Sequence, residues 1–285
     1  MVKTIGNPLS WAAQGVSNAG HAMGDATGAL GGTVTTPPQV RQITNDDLRR
    51  ALRKGYADFA RFRSDVMFLG LIYPVIGLCL AALAFHQALL PMLFPLGAGF
   101  VLLGPIAAIG LYELSRQAET REDVGWRAAF SVLRARNIGP VLVMALYLLG
   151  LFLLWLLAAM QIYNWTLGPA APASAFDFAI AVFTTVPGWA MIGAGMATGF
   201  VFAALVLVVS LTTLPMIVDQ RVGLPVAVMT SVHVARKNPA TVARWGLIVA
   251  VLMLLGSLPL FLGLVIVLPI LGHATWHLYC AAVPR

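Results

Sequence analysis

The stretch WGLIVAVLMLLGSLPLFLGLVIVLPILGHATWHLYCAAV, residues 245–283, runs for thirty-nine residues without a charged side chain. As one helix it would be ~58 Å long, about twice the hydrocarbon thickness of a bilayer. It must therefore fold back, and Gly256-Ser-Leu-Pro259 supplies the turn. Two membrane spans result, and the rest of the chain repeats the pattern.

Upstream, uncharged runs cover residues 66–85 and 88–112, joined at His86-Gln87, then 138–162, and a fourth within 189–218. Residues 165–174 form a Pro/Gly loop. Residues 174–186, with Asp177 as their one charge, read as a short interfacial or re-entrant helix. The expectation is an all-α polytopic membrane protein of six transmembrane helices. Composition agrees: 59% of the 285 residues are hydrophobic and 10% charged, whereas soluble chains run nearer about 25% charged. No soluble catalytic domain is left over.

The formal charge of +7 would invite a nucleic-acid reading in a soluble protein, but here topology accounts for it and no nucleic-acid partner is expected. Of the eighteen Lys and Arg, eight precede the first span, five lie between the second and third, four between the fourth and fifth, and one is Arg285. None remains for the outer loops. The positive-inside bias thus places both termini in the cytoplasm. Trp126, Trp165, Trp189, Trp245 and Trp276 fall near span ends, as aromatic-belt residues do. Cys79 and Cys280 read as isolated packing residues, with no partner for a disulfide or a thiolate metal cluster.

Residues 1–43 read as a flexible Gly/Ala/Ser/Thr tail, with no apolar stretch after Lys3 of the kind a signal peptide needs. The membrane domain is residues 44–285. It opens with Thr44-Asn-Asp-Asp, a helix-capping start, followed by Leu48, Leu52, Tyr56, Phe59 and Phe62 at helical spacing. Arg49, Arg50, Arg53, Lys54 and Arg61 occupy much of the remaining surface. A basic amphipathic helix on the inner membrane surface, meeting anionic headgroups, is the expectation.

Two further charged stretches each precede a span pair, so the chain divides into three units, about 45–112, 122–218 and 222–281. Each has an amphipathic prelude ending in Arg61-Phe-Arg-Ser, Arg134-Ala-Arg-Asn or Arg236-Lys-Asn-Pro. Each returning span carries a proline, Pro105, Pro215 or Pro269. Parallel helix-hairpin repeats about an axis along the membrane normal are implied, with Arg236 and Lys237 as further membrane-surface cations.

Phe183-Thr-Thr-Val-Pro, Leu214-Pro-Met-Ile-Val-Asp-Gln-Arg-Val-Gly, Met229-Thr-Ser-Val with Asn238-Pro239, and the ending Leu268-Pro-Ile-Leu-Gly-His-Ala-Thr-Trp-His-Leu-Tyr279 together resemble a bacterial family of predicted six-span membrane proteins of unknown function. The resemblance covers about residues 44–281 and implies a bacterial cytoplasmic-membrane location. Some members carry the label cytochrome c oxidase subunit I. A haem-copper subunit needs about twelve spans and several intramembrane histidines, and six spans with one histidine pair do not provide them.

That pair, His273 and His277, is spaced i, i+4 on one face near the inner end of the last span. With the prolines as register marks, Glu113 and Asp219 fall at the same depth, so the four polar residues are expected around one inner mouth. Two outcomes are open. They converge to handle protons or ions, or to hold a metal or haem with His273 and His277 as candidate ligands. Alternatively, they sit at headgroup depth, capping helices and pairing with nearby arginines. Gly195 and Gly199 give a small-xxx-small pattern for helix packing within the bundle or between subunits.

No phosphate-binding loop, dinucleotide fingerprint, His-Glu-x-x-His or nucleophile elbow occurs. Three functions follow as expectations. The first is a non-enzymatic accessory, assembly or scaffold component of a membrane complex, such as a respiratory one, which associates with other membrane subunits or with itself. The second is a carrier or channel for a small or lipid-like solute. The third is a haem- or metal-binding redox component.

Overall fold

The computed structural model describes residues 37–70, 75, 78–79, 82, 87–121, 123–133, 135–220, 222–259 and 261–285. The tail residues 1–36, and with them His21, lie outside the described residues, as do His86 and most of the stretch read as the first span. The described elements are helical throughout the bundle. They run α1 (Asn45–Gly70), a 3-10 segment (Gln87–Met92), α2 (Leu93–Leu102), α3 (Gly104–Ala107), α4 (Ile109–Ala118), a second 3-10 segment (Trp126–Leu133), α5 (Ala135–Thr166), α6 (Ala175–Thr184), α7 (Val186–Ser210), α8 (Thr213–Asp219), α9 (Leu224–Lys237), α10 (Pro239–Ser257) and α11 (Leu264–Ala282).

Among the described residues four helical stretches are long and apolar enough to cross a membrane: Ile138–Thr166, Val186–Asp219, Pro239–Ser257 and Leu264–Ala282. They correspond to the third to sixth expected spans. The hairpin in the 39-residue run turns over residues 258–259 and 261–263, two residues later than Gly256 would begin it. The stretch read as the second span is a succession of shorter helices, the first 3-10 segment through α4. Pro91, Pro95 and Pro105 punctuate it, and each removes a backbone donor from a helical ladder. The three repeat-marking prolines stand in different settings: Pro105 in the four-residue α3, Pro215 near the start of α8, and Pro269 inside α11.

Local chemistry explains the helix starts. Thr44 Oγ1 accepts from Asp47 N–H at 3.3 Å while the Asp47 carboxylate takes the Thr44 backbone N–H at 2.7 Å, a reciprocal cap. At the start of α6, Ser174 Oγ accepts from Asp177 N–H at 3.1 Å and its hydroxyl donates to the Asp177 carboxylate at 2.7 Å. At the start of α7, a Cβ on Gly188 would stand 2.3 Å from the carbonyl oxygens of Ala181 and Val182. Only glycine lets α7 leave α6 so tightly.

The face that α1 buries is Leu48, Ala51, Gly55, Asp58 and Phe62, at alternating spacings of three and four. This stripe is rotated from the purely apolar one. Leu48 and Phe62 belong to both, but Leu52 and Phe59 are half-buried and Tyr56 is 61% exposed. The buried stripe packs lengthwise on α11. A Cβ on Gly55 would lie 2.6 Å from the Ala274 nitrogen and 2.7 Å from the Ile270 oxygen, so the two backbones touch. Close backbone approach through small residues is how helices pack when hydrocarbon surrounds them.

The chain just before α1 is stitched to the α9–α10 corner. Asn238 accepts from Ile43 N–H at 2.8 Å and donates to the Arg41 carbonyl at 3.1 Å. Thr241 donates to the Ile43 carbonyl, Arg244 to Asn45 Oδ1, and Lys237 to the Val40 carbonyl. Arg41 N–H reaches the Ala282 carbonyl at 2.8 Å. Residues from both ends of the sequence therefore share one charged end of the bundle, and their core includes Trp245, Trp276 and Tyr279, all nearly inaccessible.

Candidate functional site

Three knots of polar side chains lie at that charged end, each organised around carboxylate groups. In the first, Asp58 from α1 meets Ser115 from α4 and both histidines from α11. Asp58 Oδ2 lies 2.6 Å from Ser115 Oγ and 2.8 Å from His277 Nε2, and Ser115 Oγ lies 2.7 Å from His273 Nδ1. An ionised carboxylate only accepts, so Ser115 O–H and His277 Nε2–H donate to Asp58. Ser115 has then spent its proton, and His273 Nδ1–H must donate to Ser115. The remaining ring nitrogen, His273 Nε2, is fully buried and lies near the Leu111 backbone without a well-formed hydrogen bond. The ring stacks on Phe62 at 6.1 Å.

The second knot holds Asp219. Its carboxylate takes Arg285 Nε–H at 2.8 Å and Tyr279 O–H at 2.9 Å, while Gln220 donates to the same phenol oxygen at 3.0 Å. Arg285 also pairs with Glu119, which accepts Trp276 Nε1–H at 2.9 Å. The guanidinium lies over the Trp276 ring, 4.8 Å from its centre. One cation thus bridges two carboxylates and an aromatic face.

The third knot is Glu113, held by a bidentate Arg116 at 2.7 and 2.8 Å, by Gln117 at 2.6 Å and by Ser131 at 2.8 Å. The charges of Asp219 and Arg285 also act on Arg116, so the second and third knots are electrostatic neighbours. Of the four residues expected at one mouth, His273 and His277 share a knot, whereas Glu113 and Asp219 each sit in another. Sequence reasoning missed Asp58, Ser115, Glu119, Tyr279 and Arg285. Among the described residues no three His, Cys, Asp or Glu side chains are grouped as a metal site.

The other candidates are more dispersed. Gly199 packs against the Trp155 indole of α5, where a Cβ would stand 3.2 Å away, while Gly195 faces open space. Arg49, Arg50, Arg53 and Lys54 lie on the exposed side of α1 with Arg61. Arg49 and Arg50 pair with Asp46 and Asp47, and Arg61 donates to the Arg121 carbonyl at 3.3 Å. Arg236 and Lys237 are exposed at the end of α9.

Burial alone would raise the Asp58 carboxyl. Hydrogen bonds from His277 and Ser115 outweigh it and hold the group below its ordinary 3.8. Glu113 is likewise pushed up by burial, but Arg116, Gln117 and Ser131 bring it below its ordinary 4.5. Both groups bind protons more weakly folded than unfolded. Their stabilisation is therefore complete above the ordinary values and is lost as pH falls through the lower folded ones. Thermal melting in detergent should show a plateau above about pH 5 and a falling Tm below about pH 4. A Tm that rose on acidification would contradict both assignments.

Residues 93–219 match the family described as predicted integral membrane protein (DUF2189). The middle of the chain is similar to that family, over a narrower range than residues 44–281 and without the last hairpin. Neither a curated protein nor a solved structure matches the chain. With its four long apolar helices, it is an integral membrane protein.

Proposed function

We propose that this integral membrane protein is a non-enzymatic accessory or scaffold component of a membrane complex. In this reading it has six spans in three hairpin units and both termini on the cytoplasmic side of a bacterial inner membrane. One observation carries the reading. The polar side chains at the charged end are committed to one another in interhelical knots, so they act as fasteners between α1, α4, α8 and α11. Meanwhile long apolar faces point outward on α5 (Leu142, Leu153, Leu157), α7 (Phe200, Val201) and α10 (Leu247, Leu254), offering surface to lipid and to neighbouring membrane helices.

Two measurements test this. Purified from native membranes in mild detergent, the chain should migrate in a stoichiometric assembly with other membrane subunits or with itself. Reconstituted alone, it should give no solute flux. A lone monomer that supports flux would overturn the proposal. For the topology, reporters fused after residues 87 and 168 should read outside and those after residues 120 and 230 inside, and one robust reversal would end the six-span reading.

A second reading, a carrier that binds a proton during its cycle, is favoured by the buried His273 nitrogen that lacks a well-formed hydrogen bond. Its neighbours Ser115 and Asp58 form a chain toward His277, whose side chain is 12% exposed. Flux that is abolished in H273Q while the protein still folds would select this reading over the first.

A further inference from the structure

The exposed face of α9 changes character along its length. Pro225 and Met229 are exposed near its start, and His233, Arg236 and Lys237 are exposed toward its end. The last three are spaced i, i+3 and i+4, so they share a face. α9 leads through Asn238 into α10, one of the four long apolar helices. Its cationic end therefore stands where a span meets the headgroup layer, and its apolar start is available to acyl chains.

At this place the stitched segment before α1 crosses the helix and leaves a hollow of about 420 Å³, lined by Pro38, Val40, His233, Arg236 and Lys237. Among the described residues no carboxylate lines it. Among the described residues, every acidic group within ion-pair distance of a cation is taken by another partner: Asp46, Asp47, Asp58, Glu113, Glu119 and Asp219 pair with Arg49, Arg50, the histidines, Arg116 and Arg285. Lys237 gives one N–H to the Val40 carbonyl, which fixes the ammonium at the rim with two donors remaining. Arginine adds a planar fork suited to phosphate oxygens.

We propose that this hollow is a binding site for the phosphate of an anionic phospholipid headgroup, with Arg236 and Lys237 holding the phosphate and Met229 lying along the acyl chains. The site requires only that the chain be an integral membrane protein. It stands or falls independently of the scaffold reading.

The test uses the full chain in mild detergent, with native mass spectrometry to count retained lipids during titration with phosphatidylglycerol or with phosphatidylcholine of the same acyl chains. The chain should retain phosphatidylglycerol in preference. That affinity should fall about 30-fold in R236Q/K237Q, the factor expected for two basic side chains near an anionic surface, and by clearly less in R49Q/R53Q, which lies outside the hollow and where Arg49 is already paired with Asp46. Equal retention of the two lipids would overturn the site, as would an unaffected double variant. An equal loss in R49Q/R53Q would reduce it to diffuse surface attraction. Should the double variant not fold, an amine-reactive probe of the unaltered chain reads the same site: phosphatidylglycerol should protect Lys237, and absence of protection overturns the proposal. Protection by millimolar inorganic phosphate equal to that by the lipid would replace the lipid with free phosphate.

Discussion

Replacing Asp58 by alanine should destabilise the protein by about 3–5 kcal/mol, the middle of the range for leaving two buried donors without an acceptor at about 1–3 kcal/mol each. Asp58 carries the first knot alone. Its side chain is 18% exposed and its Oδ2 accepts both Ser115 and His277. Without it Ser115 and the His277 Nε2–H lose their acceptor, and the buried His273 ring loses the fixed hydroxyl that orients it. Tm in detergent should fall by roughly 6–20 °C. A double-mutant cycle separates the network from simple loss of packing. D58A and H277A should be strongly non-additive, because the second substitution removes a bond that the first has already broken. Additive costs would show that the two side chains do not act together.

A comparable effect is expected from Gly55→Leu, at about 3 kcal/mol or more, the upper end of the overpacking range. The added atoms would meet the Ala274 nitrogen and the Ile270 oxygen, both backbone, so no side chain can swing aside to relieve the clash. α1 and α11 would have to separate, loosening the Asp58 and Asn238 fastenings together. Tyr56→Ala supplies the contrast. Tyr56 belongs to the purely apolar stripe but is largely exposed, and its loss should change stability by no more than about 0.5 kcal/mol. If Y56A proved costlier than G55L, α1 would be using its other face.

These two residues show what the sequence reveals and what it conceals. Hydropathy and length locate α5, α7, α10 and α11, because burial in hydrocarbon demands long uncharged runs whatever their neighbours are. The orientation of α1 depends instead on a partner more than two hundred residues away. Counting apolar residues selects Leu52, Tyr56 and Phe59. Contact with α11 selects Ala51, Gly55 and Asp58, which score poorly as hydrophobes yet allow backbones to touch and supply an acceptor to His277. The Ala51-xxx-Gly55 spacing was the available signal. Arg285 was similarly legible only as a topological charge, since nothing local marks it as the bridge between Glu119 and Asp219. The four residues expected at one mouth do lie at one end of the bundle, but their partners decide which knot each enters.

The seams joining Arg41–Ile43 to Asn238, Thr241 and Ala282, and Asp58 to His277, span 195 to 241 residues of sequence. During synthesis at about 5–20 residues per second, α1 leaves the ribosome roughly 10–45 s before the helix that receives it. For that interval its glycine groove is empty and its aspartate has no counter-charge. The early helices must therefore be inserted or shielded in an unfinished state, and assembly is completed by the last hairpin. Truncations that remove α11 should accordingly be cleared by membrane quality control, rather than persist as stable fragments.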